Sequence, residues 1–460
     1  MRRRAMVVGF FAAVTIMAAS VAYDLFQMPV QASDSLLDIL YAHSSDSLFS
    51  AFTDGRRTHF RPLRDTQIKA LLDLSAGHYH LVYRGFHSAL VLLASWLFVR
   101  CLRVTSATDM AAALLAFTVF MGLHTLTGAV VSIFPINHFL EVVVLALLAL
   151  HIAQRPPTRW SGVALVAVSI VATLVLESGL LLCAVTAAAW WAGFPGATTR
   201  RAVVIMVCAL AYVSFSLSSG YTTVIPDVTG FGFERLESEA AARMLAEHRL
   251  AFHTYNVASS LSMLLFAEPR YGVFVAIRDW TQGALSPRVV IPIISSTLTS
   301  LLIAVTAWRL RGTYTSTHGG RLLCVVAVVL LANAAMSFAY TKDEIMSVAG
   351  AFYAIAAYVA FREMLTSLDS GRRVRRLVVA FALAVVSAGW AVRVESLHYA
   401  TYVKTFKDRN DWADPALLRS SDPGERALTL AIRAEVIADR WHPNPRFVPD
   451  WVPRWLEEGP

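Results

Sequence analysis

Five aspartates, Asp24, Asp34, Asp38, Asp46 and Asp54, precede a basic and aromatic run, Arg56-Arg57-Thr58-His59-Phe60-Arg61-Pro62-Leu63. The two groups offer complementary chemistry. A carboxylate can take a proton from a hydroxyl, and a guanidinium can hold a phosphate bidentately. Both lie in one polar loop between two apolar segments, residues 6–23 and a second that begins near Gly85. An acidic-then-basic loop directly after a first apolar segment suits chemistry at a membrane face. A plain channel or anchor does not need it.

Each candidate has an ordinary reading beside the chemical one. Ser33-Asp34-Ser35-Leu36-Leu37 reads as a helix start, so Asp34 is as readily a cap as a base. Asp34 and Asp38 are one helical turn apart and can hold a divalent cation together with phosphates, yet two such acids also share many solvated helix faces. Arg61 can bind a substrate phosphate or a lipid headgroup. Arg84 and Lys342 sit at the ends of apolar segments, where basic side chains commonly snorkel. His124 lies in an apolar run, where a lone histidine is usually a structural hydrogen-bonder. Glu141 and Glu177 lie within or at the ends of apolar segments, where a carboxylate is costly and a functional candidate by default. Glu177 can equally stand in water at a hairpin tip. The four cysteines, Cys101, Cys183, Cys208 and Cys324, fall in or beside apolar segments and suggest neither a disulfide framework nor a nucleophile. No histidine and cysteine spacing matches a zinc site.

The elements that must position these residues are set by composition. The chain has 460 residues, of which 56% are hydrophobic and 16% charged, and its mean hydropathy is +0.55. That excludes an ordinary soluble domain and points to an all-α polytopic membrane helix bundle. Helices are preferred to a barrel because the apolar runs lack period-2 alternation. Eleven spans are expected, at residues 5–23, 85–101, 109–130, 138–153, 160–176, 178–193, 202–219, 289–308, 321–340, 345–361 and 377–393. The net charge of +8 is not a nucleic-acid signal, because the arginines cluster at segment ends. If those ends are cytoplasmic, the N-terminus is inside and the C-terminus outside, which requires an odd count. The first segment can also be read as a signal peptide, but its removal would spoil that parity. Residues 160–193 must then turn back on themselves, and Glu177-Ser178-Gly179 is the polar break.

The expected organisation is a membrane domain, 1–393, with external loops 24–84 and 220–288, followed by an external tail, 394–460. Residues 233–252 read as an amphipathic helix along the membrane surface, with Leu236, Ala240, Met244 and Leu245 on one stripe. Residues 256–267 are apolar but too short to span comfortably. The tail carries Trp412, Trp441, Trp451 and Trp455 among prolines and charges.

Several short motifs follow in one order. They are Phe60-Arg61-Pro62-Leu63, the run Tyr79-His80-Leu81-Val82-Tyr83-Arg84-Gly85-Phe86-His87, the turn at His124-Thr125-Leu126-Thr127-Gly128, Glu177-Ser178-Gly179, Asp343-Glu344, and Arg409-Asn410-Asp411-Trp412. In this order they resemble the membrane domain of GT-C-type glycosyltransferases, and in particular the tetratricopeptide-containing O-mannosyltransferases and their bacterial relatives. The sequence departs from that pattern in places. Leu176 stands where the hairpin has lysine, Thr125 and Thr127 replace a proline and a histidine, Lys342 precedes the acids where an arginine should follow them, and no tetratricopeptide repeats follow.

The resemblance implies a GT-C-like bundle and an inverting glycosyltransferase. It would use a polyprenyl-phosphate-linked sugar at the outer face of a bacterial inner membrane, with a protein, lipid or glycan as acceptor. It places the catalytic base at Asp34, with Asp24 as runner-up. Substrate contacts would come from Arg61, Arg84, His124, Glu177, Lys342 and Asp343. No cofactor is required by the sequence. Two other readings stand beside it: a catalytically inactive GT-C-like scaffold, and a lipid or solute transporter.

Overall fold

The computed structural model describes residues 2–53, 60–132, 135–218, 230–232, 234–236, 238–267, 273–370, 373–418 and 422–438. Asp54, Arg56, Arg57, Thr58, His59, Trp441, Trp451 and Trp455 lie outside the described residues. So do the side chains of Ala240, Met244 and Leu245.

The described chain is helical apart from a hairpin of two short strands, β1 (Gly230–Phe231) and β2 (Glu234–Arg235). A long apolar helix, α1 (Arg2–Gln27), leads into three short helices: α2 (Asp34–His43), α3 (Leu48–Thr53) and α4 (Pro62–Ser75). Proline at the first position of α4 costs no hydrogen bond there and presets the backbone. The chain then returns along α5 (Tyr79–Leu102), turns through Arg103–Ser106, and runs back along α6 (Ala107–Gly122). Ser106 and Asp109 cap that helix reciprocally. A 51° bend separates α6 from the stub α7 (His124–Val131). Then follow α8 (His138–Ala153), α9 (Arg159–Val175), α10 (Leu181–Trp191) and α11 (Thr199–Ser218).

Between α9 and α10 lies the expected hairpin, a single 3-10 turn at Glu177–Leu180. Gly179 is required there, since a Cβ on it would sit 2.2 Å from the Ala172 carbonyl. After β2 the chain forms α12 (Ser238–Phe266), kinked at His248, and α13 (Val273–Thr281). The four remaining long helices are α14 (Pro287–Arg309), α15 (His318–Met336), α16 (Ser347–Ser370) and α17 (Arg373–Asp411), and α18 (Pro423–Ile437) closes the described chain.

Among the described residues seven helices are long and apolar enough to cross a membrane, and eight if α6 and α7 form one bent span. Helices α8, α9 and α10 are apolar but shorter. The eleven expected segments thus all appear as helices, and only some have full membrane length. The surface helix read at 233–252 begins instead at Ser238 and continues through the 256–267 segment to Phe266 as one kinked helix. Nor does the chain break at residue 393, because α17 runs unbroken to Asp411.

The main core is the bundle itself, with α16 at its centre; 89% of its most apolar window is buried. Helices α1, α11, α14 and α17 instead turn large apolar side chains outward, among them Phe11, Ile16, Val207, Leu210, Leu301 and Phe381. A membrane-length helix with an exposed apolar face has lipid as its natural solvent. A smaller second core joins Ile39 of α2, Ile68 of α4, Tyr83 of α5, Trp412 and Ile432 of α18. It forms a helical cap on one end of the bundle, hereafter the loop end. Glu435 of α18 accepts from the N–H groups of Tyr79 and His80, 3.0 and 3.2 Å away, and so caps α5. Burial pushes that carboxyl above its ordinary value, against the pull of the two N–H groups.

Candidate functional site

At the loop end a cavity of about 790 Å³ lies among α7, α14 and α17. This lies within the range of roughly 300–1,000 Å³ usual for small-molecule sites. Its wall carries four basic side chains, Arg288, Arg393, Lys404 and Lys407, with His124 and one carboxylate, Asp343. Apolar residues such as Val131, Ile291 and Val403 supply much of the remainder.

Helix geometry explains how α17 builds its side of the wall. Val392, Ser396, Tyr399, Val403 and Lys407 recur every three or four residues and fall on one stripe. Arg393 borders that stripe and is 5% exposed. Its guanidinium donates to Ser295 Oγ (3.1 Å), Ser296 Oγ (2.8 Å) and His124 Nδ1 (3.0 Å), and it stacks over Trp390 at 3.9 Å. A guanidinium only donates, so Nδ1 of His124 must be the acceptor. The proton of the neutral ring then sits on Nε2, which is buried and has no hydrogen-bond partner among the described residues.

The opposite side is set by close approach. Gly128 in α7 lies where a Cβ would stand 2.5 Å from Asp343 Cβ. Any side chain at 128 would push the Asp343 segment away from His124. Arg288 and Lys407 are both exposed, and neither pairs with a carboxylate among the described residues. Lys404 pairs with Asp408 on its own helix. The cavity therefore offers a surplus of positive charge and one carboxylate, in a setting that is mostly apolar. That suits a phosphate joined to a greasy group.

The residues expected from sequence distribute unevenly around this cavity. His124 and Asp343 line it. Asp34 is the exposed first residue of α2 and is not among the lining residues, and Ser33 makes no side-chain cap bond to that helix. Asp24 pairs with His398. At 3.6 residues per turn His398 lies roughly opposite the cavity stripe of α17, so Asp24 is behind that helix rather than in the cavity. Asp38 is bound to Arg64. Arg61 and Glu177 are brought together, but with each other: Nε and Nη2 of Arg61 reach the carboxylate at 2.8–3.0 Å. Burial works against the Arg61 charge, but Glu177 outweighs it and holds the guanidinium above its ordinary value.

Arg84 is fully buried and is not a snorkelling anchor. It donates to the carbonyls of Met28 and Pro29, each at 2.7 Å, and to His87 Nδ1 at 2.8 Å. Lys342 pairs with Glu344 at 3.4 Å and lies over the Tyr340 ring. Burial opposes its charge, and Tyr340 and Glu344 raise its pKa above the ordinary value. Glu141, 7% exposed, accepts from Gln67 at 2.7 Å. Among the described residues no group of three or more His, Cys, Asp or Glu could hold a metal ion.

Sequence reasoning missed Arg288, Arg393, Lys404, Lys407 and Tyr399. A signal was present: an arginine inside an apolar segment, followed by basic residues at helical spacing. Setting the end of the last span at Arg393 concealed it.

No protein-family model, no curated protein and no solved structure matches this chain.

Proposed function

We propose that this protein is a membrane transferase that moves a sugar from a polyprenyl-phosphate donor to an acceptor hydroxyl. The acceptor is a protein, lipid or envelope glycan at the outer face of a bacterial inner membrane. In this reading the GT-C-like bundle spans the membrane eleven times, with its N-terminus cytoplasmic and its C-terminus external. The observation that carries the reading is the cavity wall in which Arg393 and His124 face one carboxylate, Asp343, beneath Arg288 and Lys407.

The chemistry then divides among these residues. Arg393, Arg288 and Lys407 steady the donor phosphate, and His124 holds the Arg393 guanidinium in place. Asp343 takes the proton of the acceptor hydroxyl. The oxygen attacks the anomeric carbon, the bond from that carbon to the phosphate oxygen breaks, and the lipid phosphate leaves with the electron pair. Cations fixed beside the departing phosphate stabilise charge where it develops. Asp343 thus replaces both Asp34 and Asp24 as the candidate for the base, since neither of those lines the cavity.

The test is turnover of polyprenyl-phosphate sugars by purified protein, with Asp343→Asn, Asp24→Asn and Asp34→Asn compared at matched folded fraction. Loss of a general base costs about 10²–10⁴-fold. That loss is expected for Asp343→Asn, and Asp34→Asn should stay within about threefold of wild type. Full activity of Asp343→Asn would refute the assignment of the base.

One observation favours a second reading, the inactive scaffold. Arg61, the arginine of the Phe60-Arg61-Pro62-Leu63 motif, is held by Glu177. A protein that binds the lipid phosphate but turns over no donor would fit that reading.

A further inference from the structure

A second cavity, of about 480 Å³, lies between α1, α5 and the end of α8. Its position at the far end of the bundle follows from the chain. It is lined by the last turn of α5 and by Arg103, which lead into α6. The cavity described above begins at Gly122 where α6 ends, and sixteen residues of helix separate the two by about 24 Å.

The chemistry of this cavity is sharply divided. Phe11, Val14, Leu92 and Val99 form an apolar wall, and Arg100, Arg103 and Arg155 stand at its charged part. No acid lines it, and none of the three arginines pairs with a carboxylate among the described residues. The acid nearest in the chain, Asp109, is already committed: it binds Arg362 at 2.7 Å and takes the N–H groups of Thr105 and Ser106. Arg103 donates to the Gln154 carbonyl. The Gln154 side chain, 1% exposed, also lines the cavity; its amide nitrogen donates to Cys101 O at 3.1 Å. Its amide oxygen is buried and has no partner among the described residues. Arg100 also lies over the Trp96 ring of the same wall. The site therefore gathers three exposed guanidinium groups with no carboxylate to balance them.

We infer that this cavity is a binding site for an anionic phospholipid of the phosphatidylglycerol type. The phosphodiester meets the arginines, and an acyl chain follows the apolar wall toward the membrane interior. Arginine matches phosphate oxygens in a fork geometry that lysine lacks, and basic clusters at this depth recognise anionic headgroups. The inference does not depend on the transferase reading, because it concerns other residues at the other end of the bundle.

Native mass spectrometry of the detergent-purified full chain reads the site directly, using phosphatidylglycerol, phosphatidylcholine and soluble glycerol phosphate as probes. Phosphatidylglycerol should be retained over phosphatidylcholine, and glycerol phosphate should not displace it. Replacing two arginines, Arg100→Gln with Arg155→Gln, should weaken phosphatidylglycerol retention by roughly tenfold to thirtyfold. Leu92→Trp, at a position 43% exposed, should fill the apolar wall and abolish retention with all three arginines in place. It decides the matter if the arginine variant does not fold. Equal retention of the two lipids would overturn the inference, as would displacement by glycerol phosphate. Undiminished retention in a folded variant would overturn it too.

Discussion

The loop end contains two arginine–histidine pairs built alike and used differently. Arg84 donates to Nδ1 of His87 at 2.8 Å, and Arg393 donates to Nδ1 of His124 at 3.0 Å. Both guanidinium groups are buried, and both histidines keep an Nε2 with no partner among the described residues. The surroundings differ. Arg84 spends its other nitrogens on the carbonyls of Met28 and Pro29, where α1 ends and the chain turns into the cap. Arg393 spends its own on serine hydroxyls and stands in the wall of a large cavity. A buried arginine tied to main-chain carbonyls fixes the path of the chain. One tied to hydroxyls at a cavity wall keeps a charge where a ligand can reach it. Local residue type does not separate the two cases; what lies beyond the pair does.

The largest expected effect breaks this comparison at its structural half. Arg84→Met leaves two buried carbonyls without a donor, and each such loss costs about 1–3 kcal/mol. A loss of about 3 kcal/mol is expected, read as a lower melting temperature, while the folded fraction should bind lipid phosphate unchanged. Arg393→Met also leaves a buried acceptor, His124 Nδ1, without its donor and should cost stability too, but it alone should lose most of the phosphate affinity. If the two variants behave alike, the distinction fails.

A smaller effect sharpens the functional half. Arg288→Gln combined with Lys407→Gln removes two exposed charges of the cavity without touching a buried bond. Affinity for a polyprenyl phosphate should fall about tenfold, which is about 1.4 kcal/mol. Stability should change by less than about 0.5 kcal/mol, as surface substitutions usually do. Binding that is insensitive to this double change would place the phosphate elsewhere.

The smallest effect concerns Arg61 and Glu177, whose side chains are 20% and 30% exposed. Water screens such a pair, so a double-mutant cycle with Arg61→Gln and Glu177→Gln should give a coupling of only about 1 kcal/mol in stability. If Arg61 instead contacts the donor, Arg61→Gln will weaken lipid-phosphate binding and Glu177→Gln will not.

Much of the architecture was legible in the sequence because apolar length and arginine placement are strong local signals. The helical class and the turn at Glu177-Ser178-Gly179 follow from them, and the start of α2 was marked by Ser33-Asp34-Ser35. Helix ends were less legible. Past Arg393 the chain turns polar, and hydropathy reads that as the end of a span, although α17 continues for more than four turns to Asp411. The site was partly legible: His124 and Asp343 were named and do line the cavity. The partners of Arg61, Asp24 and Asp38 were not legible. Glu177 is 116 residues from Arg61, and His398 is 374 from Asp24. Only packing decides which opposite charges meet at such distances, so residues with the right chemistry for a substrate were found holding one another.

The cavity has unlike jaws. On one side Gly128 brings α7 hard against Asp343, with no space for even a methyl group between them. On the other side Pro292 lies inside α14, one turn past Arg288, and cannot supply the N–H that the Arg288 carbonyl would otherwise accept. The first jaw is an anvil: His124 and Asp343 are fixed to one block and keep their spacing. The second is one hydrogen bond short at Arg288, where α14 enters the wall, and is held instead by Ser295 and Ser296, which accept from Arg393. The two reacting groups thus sit on the jaw fixed by close contact, and the exposed charge of Arg288 sits on the jaw with fewer main-chain ties.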